Sequence, residues 1–320
     1  MDELRGVLMN GSIIDIKRFT LHDGPGIRST VFLKGCGLHC AWCHNPEGIE
    51  NGIGLWYLPR PCIQCRACIA SCPEGALSSH DGEDPFIWIN RRRCTKCGAC
   101  VEACPTTALS FDGQRLSSEA ATKILLRDLE FYRQSGGGIT ISGGDPLVQH
   151  DFAVEILKGC RTAGVHTAIE TCLQGSWDVI ETFLPLTDLF IVDLKLADSQ
   201  MHQEYTGHGN ALIQENYRRL AGRPGASGRG LDMLTRIPLI PRVTARPDNV
   251  RAIAAFIRDC NPGGRVELIN FNPLAENKYR LMDRDREFFQ RMDPLNSDEL
   301  AEFQAILEAE GLTAVREHRR

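Results

Sequence analysis

Fourteen cysteines in 320 residues are what this chain offers for chemistry, and eleven of them crowd into residues 36 to 104. Cys36-x3-Cys40-x2-Cys43 comes first. Two longer runs follow, Cys62-x2-Cys65-x2-Cys68-x3-Cys72-Pro73 and Cys94-x2-Cys97-x2-Cys100-x3-Cys104-Pro105. Thiolates two or three residues apart can wrap one metal centre; isolated ones cannot. Cys160, Cys172 and Cys260 stand alone and read as small buried residues, with Cys172 the one that would lie near a cavity.

Whether the cysteines bind metal or pair as disulfides depends on the compartment. The start, Met1-Asp2-Glu3, is acidic and lacks the basic and apolar regions of an export signal. No apolar run reaches the ~18 residues needed to span a bilayer. A reducing, cytoplasmic setting is therefore expected, with cysteines as ligands or catalysts. With 36 Lys and Arg against 41 Asp and Glu the net charge is −5, so no nucleic-acid footprint is expected. At 42% hydrophobic and 24% charged the chain can bury a sizeable core and stay soluble. A monomer is expected.

The two longer runs repeat each other, continuing to Ala76-Leu77-Ser78 and Ala108-Leu109-Ser110. Two copies of C-x2-C-x2-C-x3-C-P are the signature of a bacterial ferredoxin module with two [4Fe–4S] clusters, in which the last cysteine of each run serves the other cluster. One cluster would take Cys62, Cys65, Cys68 and Cys104, the other Cys94, Cys97, Cys100 and Cys72. Zinc ribbons seldom use four cysteines per run in such a repeat, and a disulfide knot needs an oxidising compartment. The first trio is too small for a complete cubane. It would leave one iron open to a chelating ligand; on spacing alone, a zinc site completed by His39 or His44 is the other reading.

The surroundings of the trio carry a resemblance. Asp23-Gly24-Pro25-Gly26-Ile27-Arg28, Val31-Phe32-Leu33-Lys34-Gly35-Cys36 and Cys40-Ala41-Trp42-Cys43-His44-Asn45-Pro46-Glu47 resemble the glycyl-radical-enzyme activating enzymes, which are radical S-adenosylmethionine (SAM) proteins. Ser142-Gly143-Gly144-Asp145-Pro146, Glu170-Thr171, Asp193-Leu194-Lys195 and Arg236-Ile237-Pro238-Leu239-Ile240-Pro241 look like the same family's further motifs in the same order. The match runs from about Ile14 to about Tyr279, and the ferredoxin-like insert points to the subgroup with auxiliary clusters.

That resemblance implies an α/β fold, a partial (β/α)6 radical SAM barrel interrupted by the ferredoxin-like domain. The divisions expected are 1–54 and 116–320 for the barrel and 55–115 for the insert. It implies reductive cleavage of SAM to a 5′-deoxyadenosyl radical that takes hydrogen from a glycine of a partner glycyl radical enzyme, with flavodoxin or ferredoxin as electron donor. Trp42 would shape the adenine side or simply pack. Gly143 and Gly144 would let backbone approach the methionine moiety, and Lys195 would pair with its carboxylate. Asp193, with Glu170 and Thr171, would surround a ribose or a monovalent cation. Asn272 stands near a position where the family often has histidine; Asn45, Arg236 and Asp23 are secondary candidates, the last for the loop that meets the glycine. A radical SAM enzyme acting on a small molecule is the alternative, and a non-catalytic electron-transfer protein a third reading. The D-G-P-G-I-R motif favours the activase, and the trio with Gly-Gly-Asp-Pro argues against the third.

The elements that must position these residues read as alternating strands and helices. Strands are expected near 29–34, 138–142, 165–170, 188–194, 234–239 and 266–271. Helices are expected at 151–163, 176–184, 211–221, 248–259 and 297–310, with another that Ser118 caps and Gly136-Gly137-Gly138 ends. Such alternation argues a parallel sheet, whose strand carboxyl ends carry the motifs. The Gly-rich stretch 222–230 reads as a surface connection and Arg316 to Arg320 as a solvated tail.

Overall fold

The computed structural model describes residues 9–83, 85–223, 231–282 and 292–315. The 222–230 connection beyond Arg223 and the tail from Arg316 lie outside the described residues. β1 (Asn10–Thr20) and β2 (Arg28–Leu33) form an antiparallel pair. The chain then leaves for a lobe of short elements: β3 (Leu55–Tyr57), α1 (Ala67–Ala70), β4 (Leu77–Ser79), β5 (Ile87–Ile89), α2 (Ala99–Glu102) and β6 (Leu109–Phe111). It returns with β7 (Gln114–Ser117), α3 (Ser118–Leu125) and α4 (Leu129–Ser135). Thereafter come β8 (Gly138–Gly143), α5 (His150–Thr162), β9 (His166–Thr171), α6 (Trp177–Phe183), β10 (Leu189–Asp193), α7 (Ser199–Thr206) and α8 (Ala211–Ala221). The chain closes with β11 (Asp232–Leu239), α9 (Pro247–Cys260), β12 (Arg265–Asn270), α10 (Glu276–Leu281), α11 (Ser297–Ala309) and β13 (Thr313–Val315).

Nine strands make one sheet in the order β13-β12-β11-β10-β9-β8-β2-β1-β7. From β2 to β13 the pairs are parallel and follow chain order, so there is no reversal point as in a doubly wound sheet. Central strands such as β10, with Leu189 to Val192 all buried, are apolar on both faces, as covered parallel strands are. The helices pack by ordinary amphipathic spacing: α9 starts on Pro247 and buries Val250, Ile253, Ala254 and Ile257. α11 opens with a capping box of Asn296 and Glu299.

Two expectations shift. The helix read from Ser118 is capped by Ser117, whose Oγ accepts from the Ala120 amide at 3.1 Å, and it breaks at 126–128 before α4. Buried Asp128 sits at that break and accepts from Arg18 and Ser29. Gln114 and Arg115, inside the range expected for the insert, pair with Ile13 and Ser12 in the main sheet. The lobe has its own apolar core, built on Leu55, Tyr57, Leu77, Phe86, Ile87 and Leu109, apart from the core of the large sheet. Among the described residues no helix is long and apolar enough to cross a membrane.

Candidate functional site

β2 runs into the loop of the cysteine trio, and its neighbours grip that loop by backbone. The Cys36 amide donates to the Ile49 carbonyl at 3.0 Å. His39 and Ala41 amides donate to the carbonyls of Thr206 and Tyr205, the last residues of α7, at 2.8 Å each. Tyr279 of α10 donates its hydroxyl to the Cys43 carbonyl at 2.9 Å. Burial pushes the Cys40 thiol up to about 11 and raises Cys43 too, whereas a hydrogen bond with Cys172 lowers Cys36. Metal ligands must be thiolates, so loading this loop releases protons. His39 and His44, which a zinc site would need, are exposed. Trp42 is buried in the core with its ring 6.3 Å from that of Tyr205, a packed aromatic.

The glycines at the carboxyl end of β8 pack against the end of β2 and against this loop. Gly143 has φ +111, and a Cβ there would meet the Leu33 amide at 2.2 Å. A Cβ on Gly144 would lie 2.1 Å from the Gly35 carbonyl and 2.5 Å from that of Gly48. Gly143 thus needs glycine for close passage of β2, and Gly144 for close passage of the two ends of the trio loop. Asp145 is buried and accepts from the amides of Leu147 and Cys172 at 2.9 Å each, from the Thr171 hydroxyl, and from the Cys172 thiol at 3.0 Å. It straps the end of β9 to the start of the Pro146 turn. Burial nonetheless raises its carboxyl above the usual range.

A polar band crosses the inner face of the sheet. Arg236 on β11 contacts Glu170 on β9 at 2.5 Å and Glu267 on β12 at 2.7 Å, and donates to the His22 carbonyl. Ser142 donates to Glu170 at 2.5 Å. β10 lies between β9 and β11, so Arg236 reaches Glu170 across an intervening strand. Burial works against the Arg236 charge, but the two glutamates more than offset it and hold the guanidinium above its usual value. Burial likewise opposes ionised Glu170, yet Arg236 keeps it below its ordinary value. Asp193 pairs with Lys195 at 2.7 Å. Burial alone would lower Lys195; Asp193, with Cys40 and Cys172, instead raises it well above a lysine's ordinary value.

In the lobe the cysteines sort by space, not by run. One cavity is lined by Cys62, Cys65, Cys68 and Cys104, another by Cys72, Cys94, Cys97 and Cys100. The repeat shows in the backbone as well. Gln64 and Lys96 both have φ +58, while Arg66 (φ +58) and Gly98 (φ +89) precede α1 and α2. Non-glycine residues held there are strained and persist where the surroundings demand it. None of the fourteen cysteines is in a disulfide. Among the described residues no three His, Cys, Asp or Glu side chains are disposed to hold a single ion. Four sulfurs around a cavity fit a larger cluster instead.

The structure therefore brings Cys36, Cys40 and Cys43 into one loop, with Gly143, Gly144, Asp193 and Lys195 on the adjacent strand ends. Glu170, Thr171 and Asp193 each take a different partner, Arg236, Asp145 and Lys195. Asn272 is exposed and caps the Pro273 turn, accepting from the Leu274 amide at 3.0 Å. Asn45 accepts from Lys278 at 2.9 Å, and Asp23 accepts from the Thr30 hydroxyl at 2.5 Å. Sequence reasoning missed Ser142, Glu267 and Lys278 as members of the site. A lone glutamate inside the apolar strand Val266-Glu267-Leu268 was the available signal.

The family patterns described as "4Fe-4S dicluster domain" and "4Fe-4S single cluster domain" match residues 61–109 and 86–214. The chain is 38% identical over 304 residues to the trans-4-hydroxy-L-proline dehydratase activating enzyme of Clostridioides difficile, covering 94% of this chain and 97% of that protein. It is 37% identical over 306 residues to the benzylsuccinate synthase activating enzyme of Thauera aromatica, covering 94% and 90%. A solved domain of pyruvate-formate lyase-activating enzyme from Bacteroides vulgatus aligns with 56% of this chain and 98% of its own, at 28% identity and TM-score 0.46. That overlap is partial, so the assignment rests on the relatives matched along nearly their whole length. With the cysteine trio and the dicluster pattern in the same chain, they show that this protein belongs to the glycyl-radical-enzyme activating enzymes, iron–sulfur proteins of the radical SAM type.

Proposed function

We propose that the enzyme works with three [4Fe–4S] clusters: one on Cys36, Cys40 and Cys43, and two in the lobe with the crossed ligand sets. The observation that carries this reading is the crossed sorting itself. Each lobe cavity takes three cysteines from one run and the fourth from the other, as a two-cluster ferredoxin module requires. When bound, the open cluster supplies the electron that cleaves SAM to methionine and a 5′-deoxyadenosyl radical, which takes hydrogen from the partner's glycine. Lys195, held charged by Asp193, would pair with the carboxylate of SAM, and the Gly143–Gly144 backbone would lie along its methionine end. Arg236 supplies the positive charge beside Glu170, so no monovalent cation enters the proposal. The six parallel strands β2 and β8 to β12 are read as the sector of a (β/α)6 barrel, and residues 55–111 as its inserted domain.

The lobe clusters would pass electrons from a small redox donor, a flavodoxin or ferredoxin, towards the trio. The partner is a glycyl radical enzyme. Relatives of similar identity are named as activating enzymes of a dehydratase and of a synthase. Anaerobically reconstituted protein should hold about twelve irons per chain, and Cys36→Ala with Cys40→Ala and Cys43→Ala should leave about eight and abolish deoxyadenosine formation. A triple variant that still cleaves SAM would sink the assignment. Mixing the enzyme with SAM, reductant and a candidate partner should give a doublet glycyl EPR signal, lost when the partner's glycine is replaced by alanine. Deoxyadenosine formed at full rate with a small molecule modified in its place would assign the other radical SAM reading.

A further inference from the structure

Lys34 takes no part in the chemistry above, yet its side chain is fully buried. Its Nζ donates to Asp112 Oδ1 at 2.8 Å and to the Glu47 carbonyl at 2.7 Å. A buried ammonium is tolerated only when paired and hydrogen-bonded, so these two partners are what keep it. Three segments meet at that nitrogen. Lys34 itself stands two residues before Cys36. Asp112 stands where the chain returns from the lobe, opposite Gly54 where it departs. The Gly54 amide donates to Asp112 Oδ1 at 2.6 Å and the Asp112 amide to the Gly54 carbonyl at 3.0 Å. Glu47 follows Cys43 by four residues, and its buried carboxylate pairs with Lys278 of α10 at 2.6 Å.

α10 closes the circuit. Its Tyr279 holds the Cys43 carbonyl, and its Leu281 carbonyl accepts from Arg91 of the lobe at 2.8 Å. Arg91 also donates to the Leu55 carbonyl at 2.9 Å. Lobe, trio loop and α10 thus form a ring of polar contacts in which the Lys34–Asp112 pair is the buried joint.

We propose that Lys34 and Asp112 are positioning residues that seat the cysteine-rich lobe against the Cys36–Cys43 loop, fixing the geometry in which the lobe delivers electrons to it. This rests on the cluster reading given above. Neither residue touches SAM or the target glycine in that reading; the pair acts through the loop and the root of the lobe.

The test uses Lys34→Met and Asp112→Asn, singly and together, in the full chain loaded without oxygen. Each single variant strands one buried polar partner; the double variant removes both charges and should recover most of the lost stability. Four quantities are read: melting temperature, iron per chain, the EPR spectrum of the reduced trio cluster with SAM, and single-turnover deoxyadenosine formation. The last is started by adding SAM to reduced protein freed of excess reductant. The double variant should keep wild-type iron and near-wild-type melting, show an altered SAM-bound spectrum, and turn over about tenfold or more slowly. A double variant with wild-type spectrum and wild-type single-turnover rate would overturn the proposal. If the double variant does not fold, Asp112→Asn alone is read, and an unchanged spectrum and rate there overturn it equally. About four irons in the wild type, in place of about twelve, would sink the cluster reading instead, while the SAM-bound trio spectrum would still report on the joint.

Discussion

Arg236 sits between Glu170 and Glu267, and removing its guanidinium would leave two carboxylates on the inner face without a cation. Arg236→Met should therefore cost about 3–5 kcal/mol, seen as a lower urea midpoint at unchanged slope. A loss under 1 kcal/mol would show that the band is not held by this charge. The histidines set a pH dependence. Burial holds His166 and His202 below the ordinary histidine value, and Arg28, hydrogen-bonded to His166 at 3.3 Å, adds to the effect there. A group lowered in the folded state contributes stability that is complete above its unfolded value of ~6.5 and is lost as pH falls through the folded value. Unfolding free energy should thus fall as pH drops below the unfolded histidine value of ~6.5, and His166→Gln should flatten that slope. An unchanged slope would remove His166 from the account. At this scale the cysteines were legible because ligand spacing is local. The partners of Glu170 and Thr171 were not, because Arg236 lies two strands away and Asp145 in the turn after β8, juxtapositions that no short motif encodes.

Elements were legible where period and burial agree. All six expected parallel strands and the five amphipathic helices appear within a residue or two of their expected bounds. β1 was not read: its outer half from Asp15 is mostly exposed and register shifts at Ile13/Asp15 and Lys17/Thr20 break the two-residue period. α7 was not read either, since Ser199-Gln-Met-His-Gln-Glu-Tyr-Thr206 has too few apolar residues to show a stripe. Yet the end of α7 supplies the two carbonyls that hold the trio loop, so an element weak in sequence positions the strongest motif. The Gly143–Gly144 turn supports the other side of that loop. Gly144→Ala should force the Gly35 and Gly48 carbonyls apart and misplace the trio. The expected result is loss of about four irons, with the lobe's about eight retained. Full iron content and an unchanged SAM-bound spectrum would mean the turn adapts.

At the scale of the molecule, the question is whether the lobe is a separable domain or part of the barrel's fabric. Its apolar core is distinct from that of the large sheet, and the chain departs and returns at one place, with Gly54 and Asp112 hydrogen-bonded in both directions at 3.0 and 2.6 Å. A segment whose ends already touch can be removed at little cost in loop closure. Deleting residues 55–111 and joining Gly54 to Asp112 through two glycines keeps Asp112 in place, so Lys34 stays paired. The shortened chain should fold with the far-UV dichroism of its parallel sheet and bind about four irons. If the lobe only delivers electrons, dithionite should still drive deoxyadenosine formation, because the trio, Lys195 and the Gly143–Gly144 turn all lie outside the excised segment. A protein donor should drive it poorly or not at all. A shortened chain that folds but cannot hold the trio cluster would show that Arg91 and its contact with α10 are needed to shape the loop, and that the lobe belongs to the active site as well as to its electron supply.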